Sequence, residues 1–356
     1  MKKNAVCLRD IAEKAGVSRM TVSLALRDDS RIAKDTRARI QKIAKELKYR
    51  PNPKVAKAMA TLARVPYIQA GERLAFLTSD TTENGWKKWS HHRENFEGAK
   101  ARALEYGYEL EPFWLRQPGM TSEKMSKMLW TRGIDGVMIA PLSEDVLQTG
   151  KKLFAFNWDH FSVVELSETM DAPRFDCVRH DHLDGMFSAL HELENLGYRR
   201  IGFLLGRTLD VRTRHRWTSA YLFWGNARKL HLPVLFYDQL NLLHAVQWIQ
   251  KNKLEAVITL ETSLYLKLPA AGIKVPDDIG VAVLDHPSED HGIISGIHQN
   301  AAAIGAAATD MLVNLVRRGE KGIPKMPGQQ VCSGFWVAGK TTRRIGSSLE
   351  PCPLYM

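Results

Sequence analysis

The chain has 356 residues, of which 44% are hydrophobic and 25% charged, so it is long enough to bury a core in more than one domain. It contains no run of about 18 apolar residues, which excludes a membrane-spanning helix. Its four cysteines are scattered without a CxxC pair, which favours a reduced cytosolic protein over a disulfide framework. The N-terminal residues lack the apolar segment of a signal peptide, so we expect a cytoplasmic chain.

The positive charge is concentrated at one end. Residues 1–64 contain 17 Lys and Arg against 6 Asp and Glu, a net charge of +11, which equals the net charge of the whole chain. The other 292 residues therefore carry 33 basic and 33 acidic side chains. This distribution predicts that the first segment binds a polyanion such as nucleic acid and that the remainder is an ordinary neutral domain. A solvated basic tail is the alternative, but a tail would lack the apolar pattern described next.

The basic segment has the apolar spacing of three short helices. We predict helices over Leu8–Lys14, Arg19–Leu26 and Lys34–Lys48, each with apolar residues three and four positions apart. Gly16 suits the tight turn after the first helix, because glycine adopts positive φ at little cost. Ser18 is a suitable N-cap for the second helix. Two helices joined by a glycine turn and supported by a third form a helix-turn-helix, whose second helix enters the DNA major groove.

A potential hinge follows the third helix. The sequence RPNP at residues 50–53 must end that helix, because proline disfavours helix in the residue before it. Residues 54–62, KVAKAMATL, could form a helix, but isolated helices shorter than about 12 residues are marginal in water. We therefore expect this segment to order only against a second copy of the chain and DNA.

From Glu72 onward, short apolar runs alternate with amphipathic segments. This alternation predicts parallel sheets covered by helices, and about 280 residues fit two lobes better than one compact unit. The predicted strands are Leu74–Leu77, Gly136–Ile139, Phe154–Phe156, Ile201–Leu205, Ala256–Ile258 and Val281–Leu284. The predicted helices include Arg93–Tyr106, Leu183–Leu196, Arg216–Leu230 and Ile304–Arg317.

Two segments, AGVSRMTVSLAL from Ala15 and TRARIQKIAKELKYRPNP from Thr36, resemble the DNA-binding end of the lactose-repressor (LacI/GalR) family of bacterial transcription regulators. The resemblance implies that the variable base-reading positions are Arg19, Met20 and Leu24. It places backbone-side DNA contacts at Ser18, Thr21, Ser23, Arg27, Arg31, Thr36, Tyr49 and Asn52. It also implies that Met59, in the hinge, wedges into the minor groove; ordinary helix packing is the alternative for Met59.

The base-reading side chains limit which bases could be read. Arg19 could donate two hydrogen bonds to guanine O6 and N7, although a phosphate contact is the alternative. Met20 and Leu24 donate no hydrogen bond and could only contact a thymine methyl group or exclude polar partners. Packing against the third helix is the alternative for Leu24.

The rest of the chain resembles the same family's core. DHLDGMFSALHELENLGYRRIGFLLG from Asp181 and AGIKVPDDIGVAVLDH from Ala271 match its patterns. The resemblance implies a two-lobed, periplasmic-binding-protein-like α/β fold with a ligand in the cleft, with one lobe formed by about 72–162 and 292–325, and the other by 163–291 and 326–345. It places effector contacts at Asn157, Arg216, Asp285, Glu261 and Trp86. Core packing is the alternative for Trp86, Trp89 and Trp158.

Enzyme motifs are weak in this sequence. Gly334–Thr341 formally satisfies GxxxxGK[ST], but its interior is bulky and strand-like, so a final strand is the better interpretation. His91-His92 and His191 form no HExxH, and no GxSxG occurs. We expect no catalytic residue, no metal and no cofactor. A periplasmic solute-binding protein is the main alternative function, and a P-loop NTPase is a distant one.

The sequence therefore predicts an all-α helix-turn-helix domain followed by a two-lobed α/β core. The expected domains are 1–50 for DNA binding, 51–71 for the hinge, 72–345 for the effector-binding and dimerisation core, and 346–356 for a tail. We expect a sequence-specific regulator, most simply a repressor, acting as a homodimer on a near-palindromic operator. A sugar-like effector would modulate it; phosphorylated compounds, nucleobases or no ligand remain alternatives. The expected location is the cytoplasm, in association with the nucleoid.

Overall fold

The chain forms two compact units, Met1–Ala70 and Gly71–Met356. The computed structural model describes residues 8–26, 32–47, 49, 72–142, 146, 154–170, 172–230, 232–290 and 292–346. Among these residues, no helix combines the length and the apolar character needed to cross a bilayer.

The described part of the first unit contains three helices, α1 (Leu8–Ala15), α2 (Arg19–Leu26) and α3 (Lys34–Glu46). They meet in a small apolar core, because each helix has its apolar residues on one face. The fully buried members of this core are Ile11, Val22, Ala25 and Ile40. The three predicted helices are confirmed, and α2 has the predicted bounds.

The second unit contains two six-stranded sheets. In the first sheet the strand order is β11-β5-β4-β3-β1-β2, and in the second it is β12-β10-β9-β8-β6-β7. Neighbouring strands are parallel, except that β12 runs antiparallel to β10. The strands are β1 (Glu72–Thr78), β2 (Tyr108–Trp114), β3 (Gly136–Ile139), β4 (Ser162–Leu166), β5 (Asp176–His180), β6 (Ile201–Gly206), β7 (Val234–Tyr237), β8 (Ala256–Thr259), β9 (Gly280–Val283), β10 (Ser295–His298), β11 (Gln329–Cys332) and β12 (Phe335–Val337).

Helices cover both faces of each sheet, which explains why the central strands are continuous apolar runs rather than alternating ones. Several helices begin at a polar N-cap: Thr121, Asp181 and Asn241 each accept a hydrogen bond from the backbone N–H three residues later. The helices are α4 (Ser90–Glu105), α5 (Ser122–Thr131), α6 (His182–Asn195), α7 (Arg207–Arg212), α8 (Arg216–Arg228), α9 (Leu242–Lys251), α10 (Leu264–Lys267) and α11 (Ala301–Arg318), with 3-10 turns at Gly85–Lys88, Trp158–His160 and Leu268–Ala271.

Each sheet with its helices forms one lobe. The first lobe contains the first sheet with α4, α5 and α11, and the second lobe contains the second sheet with α6 to α10. The chain crosses between the lobes three times, after β5, β10 and β11. The predicted lobe boundaries were wrong, because β4, β5 and β11 belong to the first lobe rather than the second, and β10 belongs to the second lobe rather than the first. The crossovers therefore lie near residues 181, 299 and 333, later than the sequence suggested.

One predicted strand was also wrong. Residues 154–156 form no strand, although the side chains of Phe154 and Phe156 are buried in the core of the first lobe. A short apolar run indicates burial but does not distinguish a strand from an irregular segment that packs on the core. The other five predicted strands are confirmed, within one or two residues of their predicted ends.

Helices α4 and α11 pack unusually closely because glycine lies at the contact. A Cβ atom added to Gly305 would lie 1.9 Å from the backbone oxygen of Asn95, and one added to Gly98 would lie 2.0 Å from that of Ala302. Backbone atoms cannot rotate away, so a larger residue must separate the helices. We expect Gly305→Val to lower the free energy of unfolding by about 3 kcal/mol, measured by denaturant titration.

Ala303→Val is the matched control for this prediction, since Ala303 lies on the same helix but is exposed. It places the same β-branched residue in α11 without a backbone clash, and its cost should stay near 0.5 kcal/mol. Equal losses for the two variants would show that helix propensity, rather than the close approach, determines the effect.

Candidate functional site

The turn between α1 and α2 has the geometry that the sequence predicts. Gly16 has φ of +64°, and the backbone N–H of Val17 donates to the oxygen of Ala12 at 3.1 Å. The Ser18 hydroxyl oxygen accepts from the backbone N–H of Thr21 at 3.1 Å and lies 2.9 Å from the Thr21 hydroxyl. Ser18 therefore caps α2 and fixes where this helix begins.

The buried residues of α2 define which positions could face a ligand. Val22 and Ala25 are fully buried against α1 and α3. Helical spacing places positions 20, 23 and 24 on the other side of α2 and position 19 at its edge. These positions are the predicted DNA contacts Arg19, Met20, Ser23 and Leu24, whose side chains lie outside the described part of the structure.

The other predicted DNA contacts differ in what the structure describes. Thr36 lies half-buried in the first turn of α3. Tyr49 follows this helix, where its N–H donates to the oxygen of Ala44 at 3.0 Å and its side chain packs partly on the core. The predicted contacts outside the described residues are Arg27, Arg31, Asn52 and Met59.

A cavity of about 330 Å³ lies between the two lobes of the second unit. Both lobes and one crossover contribute to its wall, which combines aromatic, hydroxyl, amide and charged side chains. Its lining residues are Asp80, Trp89, His91, His92, Ser167 and Thr169 from the first lobe, His182, Leu209, Arg212, Thr213, Trp217, Leu260 and Asp285 from the second lobe, and Gln299 after β10. Concave sites with a few convergent polar groups are typical of small-molecule binding.

Asp285 is the predicted effector contact that lines this cavity. Its Oδ2 lies 2.8 Å from His91 Nδ1 of the first lobe, so the pair joins the two walls. Burial alone would raise the pKa of the Asp285 carboxyl, but the charge and hydrogen bond of His91, together with the nearby His180 and His298, outweigh burial and lower that pKa below its ordinary value. Asp285 is therefore a charged acceptor at the cavity wall.

Arg216 lies beside the cavity and instead connects the lobes. Its Nη2 is 2.5 Å from Glu168 Oε2 of the first lobe. The same carboxylate lies 3.3 Å from Arg214 Nε and 3.4 Å from Arg179 Nε, and it accepts from Gln329 Nε2 at 2.7 Å. Glu168 therefore holds Arg216 in an interlobe cluster outside the cavity lining.

The other three predicted effector contacts also lie outside the cavity lining. Asn157 is exposed at the start of the turn before β4. On the surface of the second lobe, Glu261 accepts a hydrogen bond from the Ser263 hydroxyl, and Glu261 Oε1 lies 3.3 Å from Lys267 Nζ. Trp86 is 3% exposed and packs edge-on against Phe96 in the core of the first lobe. Core packing, the alternative for Trp86, is what the structure shows, and Trp158 is likewise a core residue.

Several cavity residues were not predicted as effector contacts. His92, His182 and Trp217 are buried residues of the wall, and each has at least one ring nitrogen without a hydrogen-bond partner among the described residues. Burial, the largest cause, holds the pKa of both imidazoles well below the ordinary value, so both are neutral at pH 7. For His182 the signal in the sequence was its place directly after β5, at the carboxyl edge of a parallel sheet, where α/β folds bind ligands. His92 and Trp217 lie within helices and carried no such signal.

The loop that brings Thr169 to the cavity is held by a buried carboxyl group. Glu165 Oε1 accepts hydrogen bonds from Met170 N at 2.7 Å and from the Thr169 hydroxyl at 3.0 Å. Burial raises the pKa of Glu165 from 4.5 to about 7, although these hydrogen bonds partly oppose the shift. The native state therefore binds more protons than the unfolded chain between pH 4.5 and 7, and the contribution of Glu165 to stability falls as the pH rises through this range.

Glu165→Gln removes the titration and keeps an oxygen acceptor. We expect the free energy of unfolding of the variant, minus that of the native chain, to rise from pH 5 to pH 7.5 by an amount on the order of 3 kcal/mol. Denaturant titrations at several pH values measure this difference. Glu97→Gln, at an exposed position of the same lobe, should show no such rise. If the difference in free energy of unfolding between Glu165→Gln and the native chain did not change with pH, the raised pKa of Glu165 would be contradicted.

The described part of the chain supports neither a metal site nor a phosphate-binding P-loop. No group of three His, Cys, Asp or Glu side chains is arranged to hold a metal ion there. The GxxxxGKT segment contains β12, and the residues from Thr342 to Gly346 after it form no helix that could hold a phosphate. Thr341 is buried and donates to the oxygen of Val281 at 2.6 Å. The segment is a final strand with a basic end, as the sequence suggested.

Two family profiles match the chain. Residues 7–52 match the profile described as "Bacterial regulatory proteins, lacI family", and residues 190–342 match a periplasmic binding protein-like domain. The first match covers the helix-turn-helix unit, and the second covers most of the second lobe together with α11.

Similar proteins extend over nearly the whole chain. The HTH-type transcriptional regulator pepR1 of Lactobacillus delbrueckii subsp. lactis is 24% identical over 330 residues, which is 89% of this chain and 92% of that protein. The HTH-type transcriptional regulator GntR of Escherichia coli K12 is 24% identical over 293 residues, or 79% and 82% of the two chains.

Solved structures show the same fold. The match to a transcriptional regulator CelR–cellobiose complex covers 94% of this chain and 99% of the CelR chain, with a TM-score of 0.56 and 19% identity. A lac repressor dimer bound to operator and the anti-inducer ONPF covers 96% and 100%, with a TM-score of 0.56 and 20% identity.

Proposed function

We propose that the chain, whose residues 7–52 match the lacI family of bacterial regulatory proteins, binds a specific DNA operator with an affinity controlled by a small effector. The single observation that carries this proposal is the presence, in one chain, of a lacI-type helix-turn-helix unit and an interlobe cavity with polar walls. A solute-binding protein would need the cavity but has no use for the DNA-binding unit.

The effector would act by binding one arrangement of the lobes better than another. Asp285 and His91 face each other across the cavity, and Glu168 meets Arg214 and Arg216 across the same interface. A ligand that contacts both walls therefore changes the relative free energies of the lobe arrangements. We propose a sugar-like effector, as the cellobiose complex of CelR suggests by analogy.

We propose that α2 reads the operator through Arg19, Met20 and Leu24. The backbone-side contacts would be Ser18, Thr21, Ser23, Arg27, Arg31, Thr36, Tyr49 and Asn52. Residues 1–50 would form the DNA-binding domain, residues 51–71 a hinge with Met59 as the minor-groove wedge, residues 72–345 the core, and residues 346–356 a tail. We propose that the effector makes no direct contact with Asn157, Glu261 or Trp86, since these residues lie outside the cavity lining.

We propose a homodimer that represses transcription in the cytoplasm, associated with the nucleoid, and that performs no catalysis. The dimeric lac repressor on its operator is the analogy for this assembly. Two-fold protein symmetry imposes two-fold symmetry on the site, so each subunit would read one half of a near-palindrome.

Selection of bound sequences from a random duplex library tests the proposal. The purified full chain is used at fixed salt, because salt strongly changes DNA affinity. We expect enrichment of a near-palindromic consensus. The absence of enrichment, with and without a sugar panel, would contradict sequence-specific binding and leave only the non-specific attraction of a basic segment for DNA.

A further inference from the structure

An exposed groove runs between α6 and α8 on the second lobe. The rings of Phe187 on α6 and Phe223 on α8 are 6.1 Å apart. Further along both helices, Glu194 Oε1 lies 3.0 Å from Arg228 Nε. Both contacts advance in the same direction along the two helices, so α6 and α8 run parallel and side by side.

The rims of this groove are apolar and exposed. Leu183 and Phe187 lie four residues apart, so they share one face of α6, and Phe223 lies opposite them on α8. Phe223 is 57% exposed and Leu183 is 41% exposed. Trp224 is buried below them, with its ring 6.1 Å from that of Phe187. Exposed apolar surface that is contiguous in this way is typical of a contact site.

The last described residues lie at one end of the groove. The backbone N–H of Ile345 donates at 2.8 Å to the oxygen of Leu196, the residue after α6. A Cβ atom added to Gly197 would lie 2.5 Å from the backbone nitrogen of Gly346, the last residue that the structure describes there. Residues 347–356 therefore start beside the C-terminal end of α6, where the groove also ends.

These ten residues have a composition that suits an aromatic groove. They read SSLEPCPLYM, and six of them are Leu, Pro, Tyr or Met. Two prolines two positions apart favour the polyproline II conformation, and segments in this conformation bind grooves lined by aromatic side chains.

The length of this segment also fits. In polyproline II geometry ten residues span about 31 Å. The groove from Gly197 back to Leu183 measures about 21 Å, at 1.5 Å per residue of helix. The segment is therefore long enough to follow the groove past both phenylalanine rings.

We propose that residues 347–356 bind in cis to the groove between α6 and α8 and cover the side chains of Leu183, Phe187 and Phe223. The segment then keeps this apolar surface from associating with other chains. In this arrangement Cys352 lies about 19 Å from Gly346, level with the turn of α6 between Leu183 and Phe187. The proposal goes beyond operator binding and does not depend on it, because the whole groove belongs to the second unit.

Disulfide formation between Cys352 and a cysteine introduced on the rim of the groove tests the proposal. Ser219 is exposed on α8 one turn before Phe223, so Ser219→Cys changes one atom there. The purified full chain is oxidised with diamide, and mass spectrometry of the linked peptides separates the Cys352 link from links to the other native cysteines. We expect the link to Cys352 to form about 10-fold faster in Ser219→Cys than in the control variant Arg199→Cys.

Arg199 is a suitable control because it is exposed two residues after Gly197, close to where the segment starts. A tethered segment that is not bound reaches all surfaces within its length, so it would meet this nearby position at least as often as Ser219. Adding Phe223→Ser to Ser219→Cys removes an aromatic rim and should reduce the rate of linking to that of the control.

A second measurement uses a shortened chain that ends at Gly346. The dye ANS binds exposed apolar surface, and its fluorescence with the shortened chain should increase on the order of twofold over that with the full chain. Phe223→Ser in the shortened chain should remove most of this increase, because it deletes the largest exposed ring of the groove.

Three outcomes would overturn the inference. The first is equal rates of linking in Ser219→Cys and Arg199→Cys. The second is a link that joins isotope-labelled to unlabelled chains in a mixture, since this would show that a second copy occupies the groove. The third is unchanged dye fluorescence on removal of residues 347–356.

Discussion

Replacing Arg19 by alanine should weaken operator binding by about 1–3 kcal/mol per half-site and relax the preference at one base pair. The physical reason is that a guanidinium can donate two hydrogen bonds to guanine in the major groove, and alanine can donate none. Fluorescence anisotropy with the selected operator, and with variants of it at each position, measures the loss and the relaxed preference.

Lys42→Ala is the matched control for Arg19→Ala. Lys42 is exposed on α3 and carries the same charge, so its removal reduces the general attraction to DNA without removing a base contact. If Arg19→Ala weakens binding to every sequence equally, as expected for Lys42→Ala, Arg19 contacts phosphate rather than a base.

Asp285→Asn should weaken effector binding about 10- to 150-fold and abolish the effect of the effector on operator binding. A hydrogen bond to a charged group contributes about 1.5–3 kcal/mol, and the amide replaces a charged acceptor without changing the size of the side chain. Because Asp285 also pairs with His91 of the other lobe, operator affinity without effector is measured in parallel, which separates a shift of the lobes from the loss of a ligand contact.

Asp238→Asn is the control for this substitution, because Asp238 is an exposed carboxylate of the same lobe. Calorimetry with a sugar that binds the native chain measures both variants. An undiminished response in Asp285→Asn would place the effector elsewhere in the molecule.

The sequence predicted the DNA-binding unit well because its determinants are local. The glycine turn at Gly16 and the cap at Ser18 depend on hydrogen bonds between residues no more than five positions apart. The apolar spacing of α2 and α3 is a property of each helix alone. Resemblance to the family then supplied roles for individual side chains that spacing alone could not assign.

The cavity was harder to predict because its geometry depends on residues far apart in the chain. Arg216 donates a hydrogen bond to Glu168, 48 residues earlier, and this contact holds the Arg216 side chain outside the cavity lining. Trp86 packs with aromatic residues of β1 and α4, so its local sequence did not separate core from cleft. The crossovers between the lobes depend on strand order, which short apolar runs do not encode.

The most direct test of the account is the operator affinity of the full chain with and without a saturating sugar that calorimetry shows to bind. The account predicts that the two dissociation constants differ by about 5- to 150-fold at fixed salt. Equal dissociation constants, with the sugar bound throughout, would show that the cavity and the DNA-binding unit are not coupled and would contradict the account.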